Sequence, residues 1–163
     1  MSALSSERDK VARLQVLALW EHPGPGSFYD DIGNVAKAPH VVSNDEDSET
    51  HTTFWWWDQG KSRARLSWQT TAWPASMVYE GIDPERNYVI RSCGYGQALL
   101  RVNGERLVAS VNGKEMGEFK EFAVPEKFVK TRKLVLTWDR PTDEGQLNWR
   151  QQSRLAEVWL LRR

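Results

Sequence analysis

The sequence predicts an all-β fold: two antiparallel sheets packed as a sandwich of about nine or ten short strands, with little helix. Three observations predict it. Apolar runs of strand length recur roughly every 8–12 residues along most of the chain. Several alternate with period two, as in Arg65 to Trp68, where Leu66 and Trp68 share one face. Turn-forming pairs, Asn103-Gly104 and Asn112-Gly113, punctuate the runs at hairpin spacing. Strands seldom alternate with helical stretches, which argues against a parallel α/β sheet. No repeat at propeller or solenoid spacing is present.

In chain order, residues 1–12 read as a polar linker or short helical lead-in, and residues 13–163 as a single sandwich domain. Leu14 to Trp20 reads as the first strand. His22-Pro23-Gly24-Pro25-Gly26 then forbids regular structure, since proline removes a donor and glycine frees the backbone. Ser27 to Pro39 reads as an ordered loop carrying Phe28, Tyr29, Asp30 and Asp31. After the acidic stretch Ser43 to Glu49, Thr52 to Trp57 and Arg63 to Thr70 form a predicted hairpin around Gly60. Further strands are predicted at 76–80, 88–93, 98–102, 105–110, 118–124, 133–138 and 155–161, with one helical turn near Pro125.

Composition narrows the function classes. Lysine plus arginine and aspartate plus glutamate number 22 each, and no basic stripe exists, so a nucleic-acid partner is not expected. No apolar run approaches the roughly 20 residues that span a bilayer, so no membrane partner is expected. The polar start lacks the apolar core of a signal peptide. Cys93 is the single cysteine, so no intrachain disulfide can form.

The unusual quantity is tryptophan, with nine copies. Core packing accounts for several. The remainder suit a sugar platform, because an indole covers the C–H face of a sugar ring while amides and guanidinium groups reach its hydroxyls. Trp55 and Trp57 share a strand face opposite Phe54 and Trp56. Trp73 precedes Pro74 in a loop-like stretch, and Trp149 lies among Asn148, Arg150 and Gln152. The residues Trp55, Trp57, Trp73, Asn148, Trp149, Arg150 and Gln152 are therefore the candidate ligand-binding set. Against it stands a core role for the triple tryptophan and a buried anchor role for Trp149.

Catalytic signals are weak. His22, His40 and His51 form no zinc motif. Cys93 reads as a small buried thiol. Gly94-Tyr95-Gly96 lacks the completion of a phosphate loop, and no Gly-x-Ser-x-Gly elbow occurs. Asp30 or Asp31 with Glu157 could supply a glycosidase carboxylate pair, and Tyr29, His22 and Arg150 a lyase site, but no pattern selects either. The chain is not expected to be an enzyme.

Three segments carry a family resemblance: Leu19 to Gly33, Tyr79 to Tyr88, and Leu136 to Arg140 running to Glu157 to Leu160. Together they resemble jelly-roll, galactose-binding-like β-sandwich modules appended to large bacterial polysaccharide-active proteins. The resemblance implies a non-catalytic carbohydrate-binding module, secreted or periplasmic as part of a larger protein. Its expected partners are a glycan and a neighbouring catalytic domain, and the module itself is expected to be monomeric. The alternatives are a structural accessory domain packed on that neighbour, and a small glycan-degrading hydrolase or lyase. The resemblance also implies a structural Ca2+, for which Glu21, Asp30, Asp31 and Glu157 are candidate donors. Glu157 lies in the apolar closing strand, on the expected face of Leu155, Trp159 and Leu161, where it needs either a cation or an arginine such as Arg13 or Arg63.

Overall fold

The computed structural model describes residues 6–32, 35–42, 69–70, 75–95, 99–108, 119–139 and 154–163. Among them, ten strands form two five-stranded antiparallel sheets. The first sheet contains β1 (Phe28–Asp31), β10 (Arg154–Arg162), β5 (Tyr88–Tyr95) and β8 (Phe119–Ala123) in that order. The short β3 (Gln69–Thr70) joins the start of β10. The second sheet runs β2 (Val41–Val42), β4 (Ala75–Glu80), β9 (Lys133–Asp139), β6 (Leu99–Val102) and β7 (Glu105–Val108). The all-β sandwich read from the sequence is the observed architecture.

Alternation builds the core. In β9, Leu134, Leu136 and Trp138 are buried while Lys133, Val135 and Thr137 face outward. Met77 and Tyr79 of β4, Tyr88 and Ile90 of β5, and Leu100 and Val102 of β6 complete that interior with Val158 and Leu160 of β10. Each fully buried aliphatic side chain contributes roughly 1.5–3 kcal/mol. The β6–β7 hairpin closes through Asn103 (φ 48°) and Gly104 (φ 84°), the left-handed pair that a two-residue turn demands. The helical turn expected near Pro125 is α2 (Glu126–Val129), which buries Phe128 and Val129.

Two sequence expectations are corrected. Leu14 to Trp20, expected as a strand, lies within the helix α1 (Glu7–Glu21), which also runs across position 12, the expected lead-in boundary. The reason is local. The run is rich in the helix formers Leu, Ala and Gln, with Val16 its one β-branched residue, and the Ser6 hydroxyl caps the helix, accepting the Asp9 backbone N–H at 3.2 Å. His22 and Pro23 follow its last residue. Phe28 to Asp31, expected as loop, is β1, because β10 offers it a complete antiparallel partner from Glu157 to Leu160. Of the predicted 52–57/63–70 hairpin, all but Gln69 and Thr70 lies outside the described residues, as do the acidic 43–49 stretch and the Asn112-Gly113 turn.

The strand ends divide into two poles. At one lie the Glu80-to-Tyr88 connection, the Asn103-Gly104 turn and the α2 connection. At the other end lie Val42, Thr70, Ala75, Tyr95, Leu99, Val108, Phe119, Asp139 and Arg154, as the pairings Ala75 with Trp138, Leu99 with Asp139 and Arg154 with Tyr95 require. Segments 43–68, 71–74, 96–98, 109–118 and 140–153 each leave a strand at this second pole.

Candidate functional site

The candidate polar site grows from a strand that carries two acids. Successive residues of a strand point to opposite faces. Phe28 therefore packs on the sandwich interior, and Asp30, two residues on, faces the same way. Tyr29 joins Cys93, Ala156, Trp159 and Leu161 on the outer face of the first sheet, which Trp20 at the end of α1 covers. Asp30 and Asp31 thus part to opposite sides of one sheet, and both are buried, with exposures of 0 % and 3 %.

On the inner side, Asp30 is a hub for three elements. Its Oδ2 accepts the Tyr79 hydroxyl of β4 at 2.9 Å. Its Oδ1 accepts the backbone N–H of His40 at 3.0 Å. The His40 Nδ1 lies 3.0 Å from both carboxylate oxygens. A carboxylate accepts and does not donate, so Nδ1 is the ring nitrogen that carries the proton. The His40 ring stacks on Tyr79 at 4.8 Å and meets the Phe28 ring edge-on at 5.2 Å. Burial first, and the Asp30 carboxylate second, hold the Tyr79 hydroxyl well above the ordinary phenol range.

On the outer side, Glu157 is 2 % exposed and accepts the Tyr29 hydroxyl at 2.7 Å. It pairs across the strands with Asp31 on one side and Cys93 on the other. Burial chiefly, then the Glu157 charge, pushes the Cys93 thiol up to about 12. The same two causes raise the Tyr29 hydroxyl far above its ordinary value. A catalytic tyrosine or cysteine needs its pKa lowered towards neutrality. These three groups are shifted the opposite way, and they remain hydrogen-bond donors or inert thiol near neutral pH.

A bulge sets which side chains meet here. The register of β10 against β5 slips between Leu155 and Glu157, and the N–H of Ile32 takes up the Ala156 carbonyl at 2.8 Å. Leu155 consequently packs in the sandwich interior with Val158 and Leu160. Its expected place on the Glu157, Trp159 and Leu161 face is corrected, because the extra residue reverses the alternation.

The four candidate Ca2+ donors are dispersed. Glu21 ends α1 and pairs with Lys37 at 2.8 Å. Asp30 belongs to the inner hub, and only Asp31 and Glu157 share a face. Among the described residues, no group of three or more His, Cys, Asp or Glu side chains is arranged to hold a metal ion. The residues do not fit a Ca2+ shell of six to eight oxygens. Nor does Asp30 flank a cleft with Glu157, since they lie on opposite faces of the sheet.

The candidate ligand-binding residues Trp55, Trp57, Trp73, Asn148, Trp149, Arg150 and Gln152 lie outside the described residues. The described indoles serve the core: Trp138 and Trp159 are buried, and Trp20 packs edge-on against Phe119 and Trp159. The inner hub was hidden from sequence reasoning. His40 stands ten residues and Tyr79 forty-nine residues from Asp30. The one available signal was a pair of acids directly after two aromatics, in a segment ordered enough to need them.

Among the described residues, no helix is long and apolar enough to cross a membrane. Comparison of the chain with protein-family models and with curated proteins gives no match.

Proposed function

We propose that the chain is a non-catalytic glycan-recognition module whose ligand surface is carried by the connections at one pole of the sandwich. One observation carries the reading. Trp55, Trp56, Trp57, Trp68, Trp73 and Trp149, six of the nine tryptophans, all belong to segments whose flanking strands end at the same pole. Recognition residues concentrate in loops held by a rigid scaffold. Stacking on a sugar face is worth on the order of 1 kcal/mol per ring beyond area burial. Asn148, Arg150 and Gln152 belong to the same 140–153 connection as Trp149 and supply the hydrogen bonds for orientation.

Affinity electrophoresis against a panel of soluble polysaccharides, run beside a reducing-end assay, tests the reading. Retention by at least one glycan without product release is expected. Trp149→Ala and Trp55→Ala should each weaken that retention at least tenfold with little change in Tm. Full retention by both variants, or release of reducing ends, overturns it.

A specific observation favours a second reading, an accessory domain packed on a neighbour. Helix α1 has no buried residue, and Val11, Leu14, Val16 and Leu19 are exposed, Leu19 by 70 %. The double variant Leu14→Gln/Leu19→Gln is expected to leave the Tm of the isolated domain within about 2 °C of the parent, because neither side chain is buried. A larger fall, measured by calorimetry, would show that these leucines already pack within the domain and would remove the basis of this reading.

A further inference from the structure

The two sides of α1 differ. Lys10, Arg13, Leu17, Trp20 and Glu21 are its half-buried positions, three or four residues apart on one side. Trp20 on that side packs on the outer cluster of the first sheet, and Glu21 pairs with Lys37. The opposite side carries Arg8, Val11, Ala12, Gln15, Ala18 and Leu19 at the same spacing, all exposed. Val11 is 51 % exposed and Leu19 70 %. Leu14 and Val16, exposed as well, flank this stripe on either side. Apolar residues that recur at three and four positions are the pattern of a helix seam.

The stripe is complementary to itself. When a second α1 is turned end for end about an axis at Gln15, Val11 comes level with Leu19 of the second copy, and Ala12 with Ala18 of the second copy. The two alanines let the helices approach, and the larger pair fills the space beside them. Gln15 meets its own symmetry mate on the axis. An amide both donates and accepts, so two identical glutamines satisfy one another. The antiparallel sense also sets the N-terminus of each helix beside the C-terminus of the other, which their dipoles favour. A parallel pair would place like ends together and leave the small Ala12 against itself at one level and Leu19 against itself at another.

We infer that this face of α1 is an interface between two copies of the chain, an antiparallel helix pair with its two-fold axis at Gln15. The monomer expected from the family resemblance is then the form at low concentration. Two helices of 15 residues bury less than a standard protein interface. The dissociation constant should therefore be weak, on the order of 100 µM. The pairing does not depend on glycan recognition. The neighbouring domain of the accessory reading would need the same face, so a second copy and that neighbour are alternatives.

Disulfide trapping and sedimentation equilibrium on the whole chain test it together. In Gln15→Cys the two introduced thiols face each other across the axis, and mild oxidation should join most chains as dimers. Cys93 is buried and does not compete. Arg8→Cys, about two helical turns from the axis, should trap poorly, because antiparallel pairing carries its two copies to opposite ends. The parent should pass from monomer to dimer between about 10 µM and about 1 mM. Val11→Gln/Leu19→Gln should weaken that association roughly tenfold or more and leave the Tm of the dilute protein unchanged. A parent that stays monomeric throughout the range overturns the inference, and glycan retention by that monomer would leave the recognition reading standing. Trapping of Arg8→Cys as efficiently as Gln15→Cys also overturns it, since that marks a parallel pair or random collision. So does association that the double variant does not weaken, which places the interface elsewhere, and so does a lower Tm in the dilute double variant, which shows the face packed within its own domain.

Discussion

Raising the pH from 8 to about 11 is expected to remove several kcal/mol of stability and to unfold the domain cooperatively. The direction follows from three buried protons. Cys93, Tyr29 and Tyr79 all have folded-state pKa values above their unfolded ones, with Cys93 pushed up to about 12. The folded state therefore holds protons that the unfolded chain releases, so stability falls as pH rises through the unfolded values. Each group contributes a slope of about 1.4 kcal/mol per pH unit once its unfolded form is ionised. Cys93 begins near pH 9 and the tyrosines near pH 10. By pH 11, Cys93 accounts for roughly 3 kcal/mol, and Tyr79 and the partly exposed Tyr29 add to the loss in the same direction. That sum approaches the whole stability of a marginal domain. Urea midpoints taken at pH 8, 9.5 and 10.5 give the slope directly. Cys93→Ala should flatten its early part, from pH 9 to 10. A midpoint constant across the series, or rapid alkylation of native Cys93 at pH 8, would contradict the sealed environment of the outer cluster.

The second large effect is expected from Trp159→Ala, which should destabilise the domain by about 3–5 kcal/mol. Trp159 is buried at the centre of the outer cluster, with ring centroids 5.2 Å from Tyr29, 5.6 Å from Phe119 and 6.5 Å from Trp20. Its Nε1–H donates to the Trp20 carbonyl at 2.9 Å. α1 buries no side chain of its own, so this contact ties the end of the helix to the sheet. Removing the indole leaves a cavity and strips that carbonyl of its donor. Trp159→Phe keeps most of the packing and loses the hydrogen bond, so its cost should be clearly smaller. Chemical denaturation gives both values, and far-ultraviolet circular dichroism shows whether α1 frays in the alanine variant. A loss below 1 kcal/mol in Trp159→Ala would mean that the cluster is not what holds the helix.

The strands from Ala75 onward were legible because each carries its own punctuation. Leu134, Leu136 and Trp138 alternate with polar or smaller neighbours, and Asn103-Gly104 can hardly be anything but a tight turn. Leu14 to Trp20 misled because an apolar run alone does not separate strand from helix. The cap at Ser6 and Asp9 was the signal that did. β1 was missed because aspartate is disfavoured in strands. Only the partners waiting on either side of the sheet, Tyr79 and His40 inward and the Glu157 cluster outward, make two acids acceptable there.

By itself, the order of residues determined the sandwich, most of its strands and the surplus of indoles, since periodicity and turn chemistry are local properties. Which acids would be buried, which face Leu155 would take, and that distant loops leave from one pole were decided by tertiary structure alone. Those outcomes depend on register, on one bulge at Ala156 and on hydrogen-bond partners up to 128 residues apart, and no stretch of sequence contains them.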